Sequence, residues 1–401
     1  QLIRHNLDVL EAMIDYNIEN DNHMLRLSSS LIPFASSARN TFDWSAYFTD
    51  DFKRLADKIM RHEIRISCHP GQYTVLNSPD PRVVENSIAE LSYHCRLLEL
   101  LSDQQNSKMI LHIGGQYGNK SEAIKRFIDV YHRYEGLLRK HLVIENDDRL
   151  YTTEDVLSIS KRTSLPIVFD HLHHAINPSL ENHSINEILK NIKATWTPAD
   201  GQSKMHYSQQ AIGKRPGAHS ATIDLTLFQQ DYRNYYHDFN GDIMLEVKDK
   251  NRSFLKVNAF FHPSKQKLEA EWARYKYWVL AHSQSNYLAI RALLKQEQVD
   301  AVSFYALIDR SIYGAYSKQD AINAFQHIWG YFKKTASEKE KLQFLKQLDA
   351  FKTNRCTELA IIHHLRRLSQ KYNQTYLLSS YYLNPNSHQL VKTEDSHVFS
   401  D

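Results

Sequence analysis

The stretch Ile64-Arg65-Ile66-Ser67-Cys68-His69-Pro70-Gly71-Gln72-Tyr73 decides how this chain is read. It alternates apolar with polar residues, the period-two signature of a β-strand, and stops at a Pro-Gly turn with a histidine at its lip. The construction recurs along the chain. β-rich runs lie at 23–29 (HMLRLSS), 64–70 (IRISCHP), 108–115 (KMILHIGG), 141–147 (HLVIEND), 166–174 (PIVFDHLHH), 203–208 (SKMHYS) and 242–249 (DIMLEVKD). Helical periodicity fills the gaps, as in VVENSIAELSYHCRLLELL (83–101) and SEAIKRFIDVYHRYEGLLRK (121–140). Strand alternating with helix predicts βα units on a parallel sheet. Seven strands at that spacing predict a TIM (β/α)8-type barrel that lacks its first strand in this chain.

The opening QLIRHNLDVLEAMIDYN fits that reading. Leu2, Leu7, Leu10 and Ile14 form one helical stripe that begins in mid-pattern, without initiator Met or cap, so a native segment carrying the first strand is expected to precede it. After residue 262 the texture changes. FFHPSKQ reads as a linker, and residues 266–385 carry only helical periodicity, as in KLEAEWARYKYWVLAHS and CTELAIIHHLRRLSQKY. The expected division is a barrel domain over 1–262, an all-helical domain over 266–385 and a disordered tail over 386–401.

Composition bounds the function. The chain has 401 residues, 42% of them hydrophobic and 24% charged, with a net charge of +3, so a nucleic-acid groove is neither demanded nor excluded. The cysteines Cys68, Cys95 and Cys356 lack CxxC spacing, which argues against a zinc ribbon or disulfide framework and fits a reducing cytoplasm. No apolar run reaches membrane-spanning length. The unusual totals are 22 His and 23 Tyr, and the histidines repay mapping.

Six of the seven strands end in a metal-ligand residue type: His69, His112, Glu145, Asp170 with His173, His206, and Glu246; His219 follows in the loop after SKMHYS. In a parallel barrel all C-terminal strand ends share one face, so these side chains converge. Imidazoles with carboxylates suit Zn, Mn or Fe, and Glu145 can bridge two ions. Each residue alone has a plainer reading: an exposed His, a strand-end charge, or, for Asp170, a cap on the next helix. Repetition at successive strand ends is what favours a polynuclear metal site.

Lys204 lies two residues before His206 and so points the same way on a strand, into the barrel mouth. A charged amine there is unfavourable. It is deprotonated, or reaches a phosphate, or is carboxylated to a metal-ligating carbamate; the plain alternative is a shifted register with Lys204 in solvent. Other chemistries score poorly. Cys68 and His69 point to opposite faces, there is no P-loop or HExxH, and HIGGQYGNK (112–120) lacks the helix-opening pattern of a dinucleotide fingerprint. His171, His174, His363 and His364 read as ordinary polar histidines, and Trp272, Tyr275, Tyr277, Trp278, Trp329 and Tyr331 as core.

HPGQY, LHIGG, VIEND, FDHLHH, KMHYS and MLEVKDK, in this order, resemble the bacterial and fungal UV damage endonucleases, barrel nucleases related to endonuclease IV. The resemblance spans roughly residues 1–260. It implies a metal-dependent nick immediately 5′ to cyclobutane dimers and (6-4) photoproducts, with manganese as the metal, two or three ions per chain, and damaged duplex DNA as the partner of a monomer acting in the bacterial cytoplasm at the nucleoid. It implies one ion on His69, His112 and Glu145, a second on Glu145, Asp170, His206 and Glu246, and a third on His173 and His219. There endonuclease IV has an Asp-x-His pair; here Gly217-Ala218-His219 lacks the carboxylate, and a carboxylated Lys204 would supply the oxygen. Glu145, Lys204 and His69 would carry catalysis, and Gln72-Tyr73 would enter the DNA stack at the lesion. The helical domain resembles a bacterial module of unknown function. The competing readings are a divalent-metal sugar isomerase or epimerase on the same barrel, and a non-catalytic nucleic-acid binder.

Overall fold

The computed structural model describes residues 1–102 and 106–384; the tail expected over 386–401 lies outside them. All seven expected strands form: β1 (Met24–Leu27), β2 (Arg65–Cys68), β3 (Lys108–His112), β4 (Leu142–Glu145), β5 (Ile167–Asp170), β6 (Lys204–Tyr207) and β7 (Asp242–Leu245). They pair in chain order, each parallel to the next. A helix follows each of the first six in the right sense for a β/α barrel, for example Pro81–Leu101 after β2 and Thr153–Thr163 after β4. The helix starts are written in the sequence. Asp80 caps Arg82 N with Pro81 at the first position, and Thr152 with Asp155 forms a capping box.

The period-two alternation sorts each strand into two faces. Ile66, Cys68, Met109, Leu111, Leu142, Ile144, Ile167, Phe169, Met205 and Tyr207 are buried under the helices, against residues such as Leu91, Leu98, Phe127, Val156 and Ile188. Each such side chain contributes about 1.5–3 kcal/mol by leaving water. The alternate positions fill the interior. Ile110, Val143 and Val168 cluster there, with Trp196 packed against them and its Nε1 donating to Ile167 O at 2.8 Å.

Among the described residues no ladder joins β1 to β7, so the sheet is an open seven-strand near-barrel. Side chains span the interior instead. Arg65 of β2 pairs with Asp242 of β7, and Arg26 of β1 with Glu246 just beyond β7. Near the start of β3, Lys108 is buried and donates to Asp200 Oδ1 at 3.1 Å and to Lys140 O at 2.8 Å.

The chain groups into two compact units, one of residues 1–219 and 233–246, the other of 220–232 and the residues from Val247 on. The helix Asn251–Phe261, inside the expected barrel range, therefore groups with the helical unit. That unit holds the helices Lys265–His282, Gln284–Leu293, Ala301–Ile312, Lys318–Trp329, Glu338–Lys352 and Glu358–Lys371. Tyr275, Tyr277, Trp278 and Trp329 are buried in it, Trp272 is half-buried against Tyr287, and Tyr331 is partly exposed.

Candidate metal centre

Because interior positions repeat every second residue, the strand ends carry their polar residues to one place. His69 follows β2, while His112, Glu145 and Asp170 close β3, β4 and β5; His206 is the third residue of β6, and Glu246 follows β7. The register sets His112 beside Glu145 and Asp170 beside His206.

Glu145 is the hub. Its Oε2 lies 3.1 Å from His69 Nε2 and 3.5 Å from His112 Nε2, and its Oε1 lies 2.5 Å from His206 Nδ1. The imidazoles stand in a row: His219–His173 at 6.3 Å between ring centres, His173–His112 at 5.8 Å, His112–His69 at 5.1 Å and His69–His206 at 6.2 Å. Two sets of donor atoms gather within 4.8 Å of one another, His69/His112/Glu145 and Glu145/Asp170/His206. Glu246 stands beside the second set rather than in it. Its Oε1 is 3.2 Å from His206 Nδ1 and is also held by Arg26. His173 and His219 do not join a set of three among the described residues; His219 Nδ1 lies 3.9 Å from Glu246 Oε2.

The electrostatics separate two acids. Burial works against the charge on Glu145, but His206 and His112 outweigh it and hold this carboxyl well below the usual range. Asp170 is pushed up to about 8 by burial; His173 opposes that shift, while Glu145 and Glu246 add to it. Burial lowers the pKa of His112, His206 and His219, against the pull of the neighbouring carboxylates, and so favours the neutral imidazole, the form that can ligate a metal.

Two buried atoms point to a cation. Asp170 uses Oδ1 to cap His173 N at 2.8 Å, so the capping role expected as the plain reading is real; its Oδ2, like His112 Nδ1, has no partner among the described residues. Unpartnered buried acceptors are costly, and three convergent carboxylates with neutral imidazoles form an N/O donor set for a divalent ion. The residues fit the group.

Lys204 is fully buried, which excludes the register with its amine in solvent. Its Nζ donates to Ser67 Oγ at 2.8 Å, and burial beside Arg26 and Arg65 holds its pKa well below that of an ordinary lysine. Gln72 and Tyr73 stand clear of the ligand cluster at the surface, Tyr73 84% exposed. Cys68 faces away from the interior, and burial raises its thiol pKa.

Sequence reasoning missed two residues. Arg26 reaches in from β1 to Glu246 and to His206 Nε2, 2.6 Å away; a charge inside the apolar run HMLRLSS was the available signal. Asn146 is buried and pins β4 to β5. Its Nδ2 donates to Asp170 O at 3.0 Å, its Oδ1 accepts from Asp170 N at 2.9 Å, and its carbonyl lies 3.0 Å from His173 Nδ1.

A parallel β/α near-barrel with a histidine–carboxylate cluster at its C-terminal strand ends defines the class: a barrel whose strand ends gather residues that could hold a divalent metal. Within that class the chain belongs to the UV-endonuclease UvdE family, whose pattern matches residues 1–269. The UV DNA damage endonuclease of Clostridium perfringens (strain 13 / Type A) is 34% identical over 357 residues, 84% of this chain and 85% of that protein. The protein of that name from Bacillus cereus (strain B4264) is 34% identical over 257 residues, 64% of this chain and 80% of its own. The crystal structure of SacUVDE superposes with a TM-score of 0.60 at 36% identity, covering 66% of this chain and 89% of that one. Residues 276–387 match a second family, described as a protein of unknown function (DUF1722).

Proposed function

We propose that this protein is a divalent-metal endonuclease that nicks duplex DNA immediately 5′ to cyclobutane dimers and (6-4) photoproducts, leaving a 3′-hydroxyl. The observation that carries the reading is the sharing of Glu145 between two donor sets at the strand ends, within a chain of the UvdE family. The same match weighs for a nuclease over a sugar isomerase or epimerase.

His69, His112 and Glu145 would hold one ion and Glu145, Asp170 and His206 a second, with Glu246, His173 and His219 at hand for these or a third; manganese is the proposed metal. Such ions, when bound, supply a water of lowered pKa and offset the charge gathering on the phosphate and leaving oxygen. The protein's own share is positional. Glu145 stays ionised between its imidazoles, Asp170 gives up its proton in favour of a cation, and Asn146 fixes the backbone that presents both. Lys204, carboxylated on its buried amine, would add an anionic oxygen. Gln72 and Tyr73 would enter the stack opposite the lesion, where an aromatic ring replaces lost stacking and an amide meets the orphaned bases. A photoproduct is already badly stacked, so extruding it costs less than extruding normal bases, and discrimination follows from that difference. The proposed place of action is the nucleoid in the cytoplasm, as a monomer; among the described residues no helix is long and apolar enough to cross a membrane.

The test is an end-labelled duplex carrying one photoproduct, incubated with protein and Mn²⁺. The expected product is a single cut directly 5′ to the lesion, abolished by EDTA. Full-rate nicking after EDTA treatment, or cutting without regard to the lesion, would overturn the reading.

A further inference from the structure

The tripeptide Gly-Gln-Tyr occurs at two adjacent strand ends. Gly71-Gln72-Tyr73 follows His69 after β2, and Gly115-Gln116-Tyr117 follows His112 after β3. Both loops line one cleft of ≈ 460 Å³ that also reaches His112, Val75, Leu111 and Leu150.

The second loop is built to hold an aromatic ring in place. Tyr117 has φ +50°, a left-handed conformation that is a genuine outlier for a bulky side chain, yet the residue is 47% exposed, so core packing does not account for the strain. The ring folds back on Gly115, where a Cβ would stand 3.0 Å from its Cε2 and Cζ; a side chain here would displace the ring. The Arg126 guanidinium lies 5.6 Å from the ring centre and is itself fixed by Nε donating to Asn77 O at 2.8 Å. The carbonyl of Gly115 accepts from Asn77 Nδ2 at 2.7 Å and from Tyr151 OH at 2.9 Å, and Gln116 Nε2 donates to Leu150 O at 3.1 Å. Gln116 is thus tied down where Gln72 is exposed, which makes this loop a fixed jaw rather than a second wedge.

The lining selects the ligand. Asp147 spends its carboxylate on the backbone N–H groups of Arg149, Leu150 and Tyr151, and Asp148 lies 3.5 Å from Arg149 Nε. Two acids against one arginine do not make a phosphate site, whereas tyrosine rings with apolar walls suit a flat, uncharged heterocycle. Joined photoproduct rings are not flat; an ordinary base is. We propose that the cleft is a base-receiving subsite, in which an undamaged nucleobase, unpaired when Gln72 and Tyr73 enter the duplex, stacks on Tyr117. This rests on the nuclease reading above.

The base has two sources, the complementary strand opposite the lesion or the lesion strand beside it, and three duplexes with a single (6-4) photoproduct separate them. One is complete, one lacks the base opposite the lesion, and one lacks the base 3′ to it. On the complete duplex Tyr117→Ala is expected to raise KM about tenfold, the size of one lost base–aromatic stack, while Tyr117→Phe stays within about twofold of wild type. The Tyr117→Ala penalty should vanish on at least one base-deleted duplex, and that duplex names the source. A penalty that persists on both, or is absent on all three, overturns the subsite. Wild-type protein that fails to cut at the lesion would instead sink the nuclease reading.

Discussion

Lys204 on β6 and Ser67 on β2 meet inside the barrel, the amine donating to the hydroxyl oxygen at 2.8 Å. A buried amine beside Arg26 and Arg65 favours its neutral form, and a neutral amine is the nucleophile that adds to carbon dioxide. In that addition the N–C bond would form, one proton would leave, and a carbamate anion would remain to balance the local positive charge. Protein incubated with ¹³C-bicarbonate should give one carbamate carbon resonance per chain, absent in Lys204→Met. A wild-type spectrum without that resonance, in the presence of the diamagnetic ion Zn²⁺, would mean that Lys204 serves as a neutral hydrogen-bond donor to Ser67.

Glu145 is common to both donor sets, so one isosteric change should empty both. Altering a group that merely orients a metal ligand costs about 10–100-fold in affinity or activity. Glu145→Gln removes the shared ligand itself, so cleavage should fall by more than about 100-fold. Elemental analysis should find the divalent metal of the purified protein reduced in step. Retained metal with lost activity would assign Glu145 to proton transfer rather than binding.

The proposed wedge makes a separable prediction, because Gln72 and Tyr73 are exposed and hold no part of the core. The double variant Gln72→Ala/Tyr73→Ala should unfold within about 0.5 kcal/mol of wild type. Its preference for damaged over undamaged duplex should drop about tenfold or more, since each base–aromatic stack is worth about 1–3 kcal/mol. Equal discrimination by variant and wild type would remove these residues from lesion recognition.

The barrel was legible because its signal is periodic and local. Every strand found was marked by a short β-rich run, and the two-residue period of a strand that hid Ile66 and Met109 under helices turned His69, Glu145 and His206 toward one another. What could not be read was which interior charges would meet. Arg26 stands 180 residues from His206 in sequence, and only the curling of the sheet into a near-barrel brings its guanidinium to that imidazole and to Glu246. The boundary of the helical unit was hidden for a similar reason. Residues 220–232 come before β7 in the chain yet group with helices that follow it, a long-range grouping that no change of local texture announces. Tyr117 was passed over because a strained loop leaves no periodic trace; its φ is a tertiary outcome.

The far end of the barrel offers a test of stability independent of the metal site. Asp200 accepts from Lys108 Nζ at 3.1 Å and Arg139 Nη1 at 3.0 Å, and its second oxygen accepts from Thr197 Oγ1 at 2.6 Å. Burial opposes the charge of this carboxyl, but Thr197, Arg139 and Lys108 outweigh it and hold the pKa at about 2 against an ordinary 3.8. A carboxylate with a depressed folded-state pKa stabilises the fold above its ordinary pKa, and that contribution drains away as pH falls through the folded value. Asp200 therefore stabilises fully at neutral pH, by about 2–3 kcal/mol, and loses this between about pH 4 and pH 2. Urea unfolding should find Asp200→Asn less stable than wild type by that amount at pH 7, with the gap narrowing only below pH 4. Lys108→Met/Asp200→Asn should recover part of the loss, because the buried amine left without a countercharge goes with its partner. A gap that is constant from pH 7 to pH 3, or a double variant worse than the sum of the two single ones, would show that packing rather than charge is what Asp200 contributes.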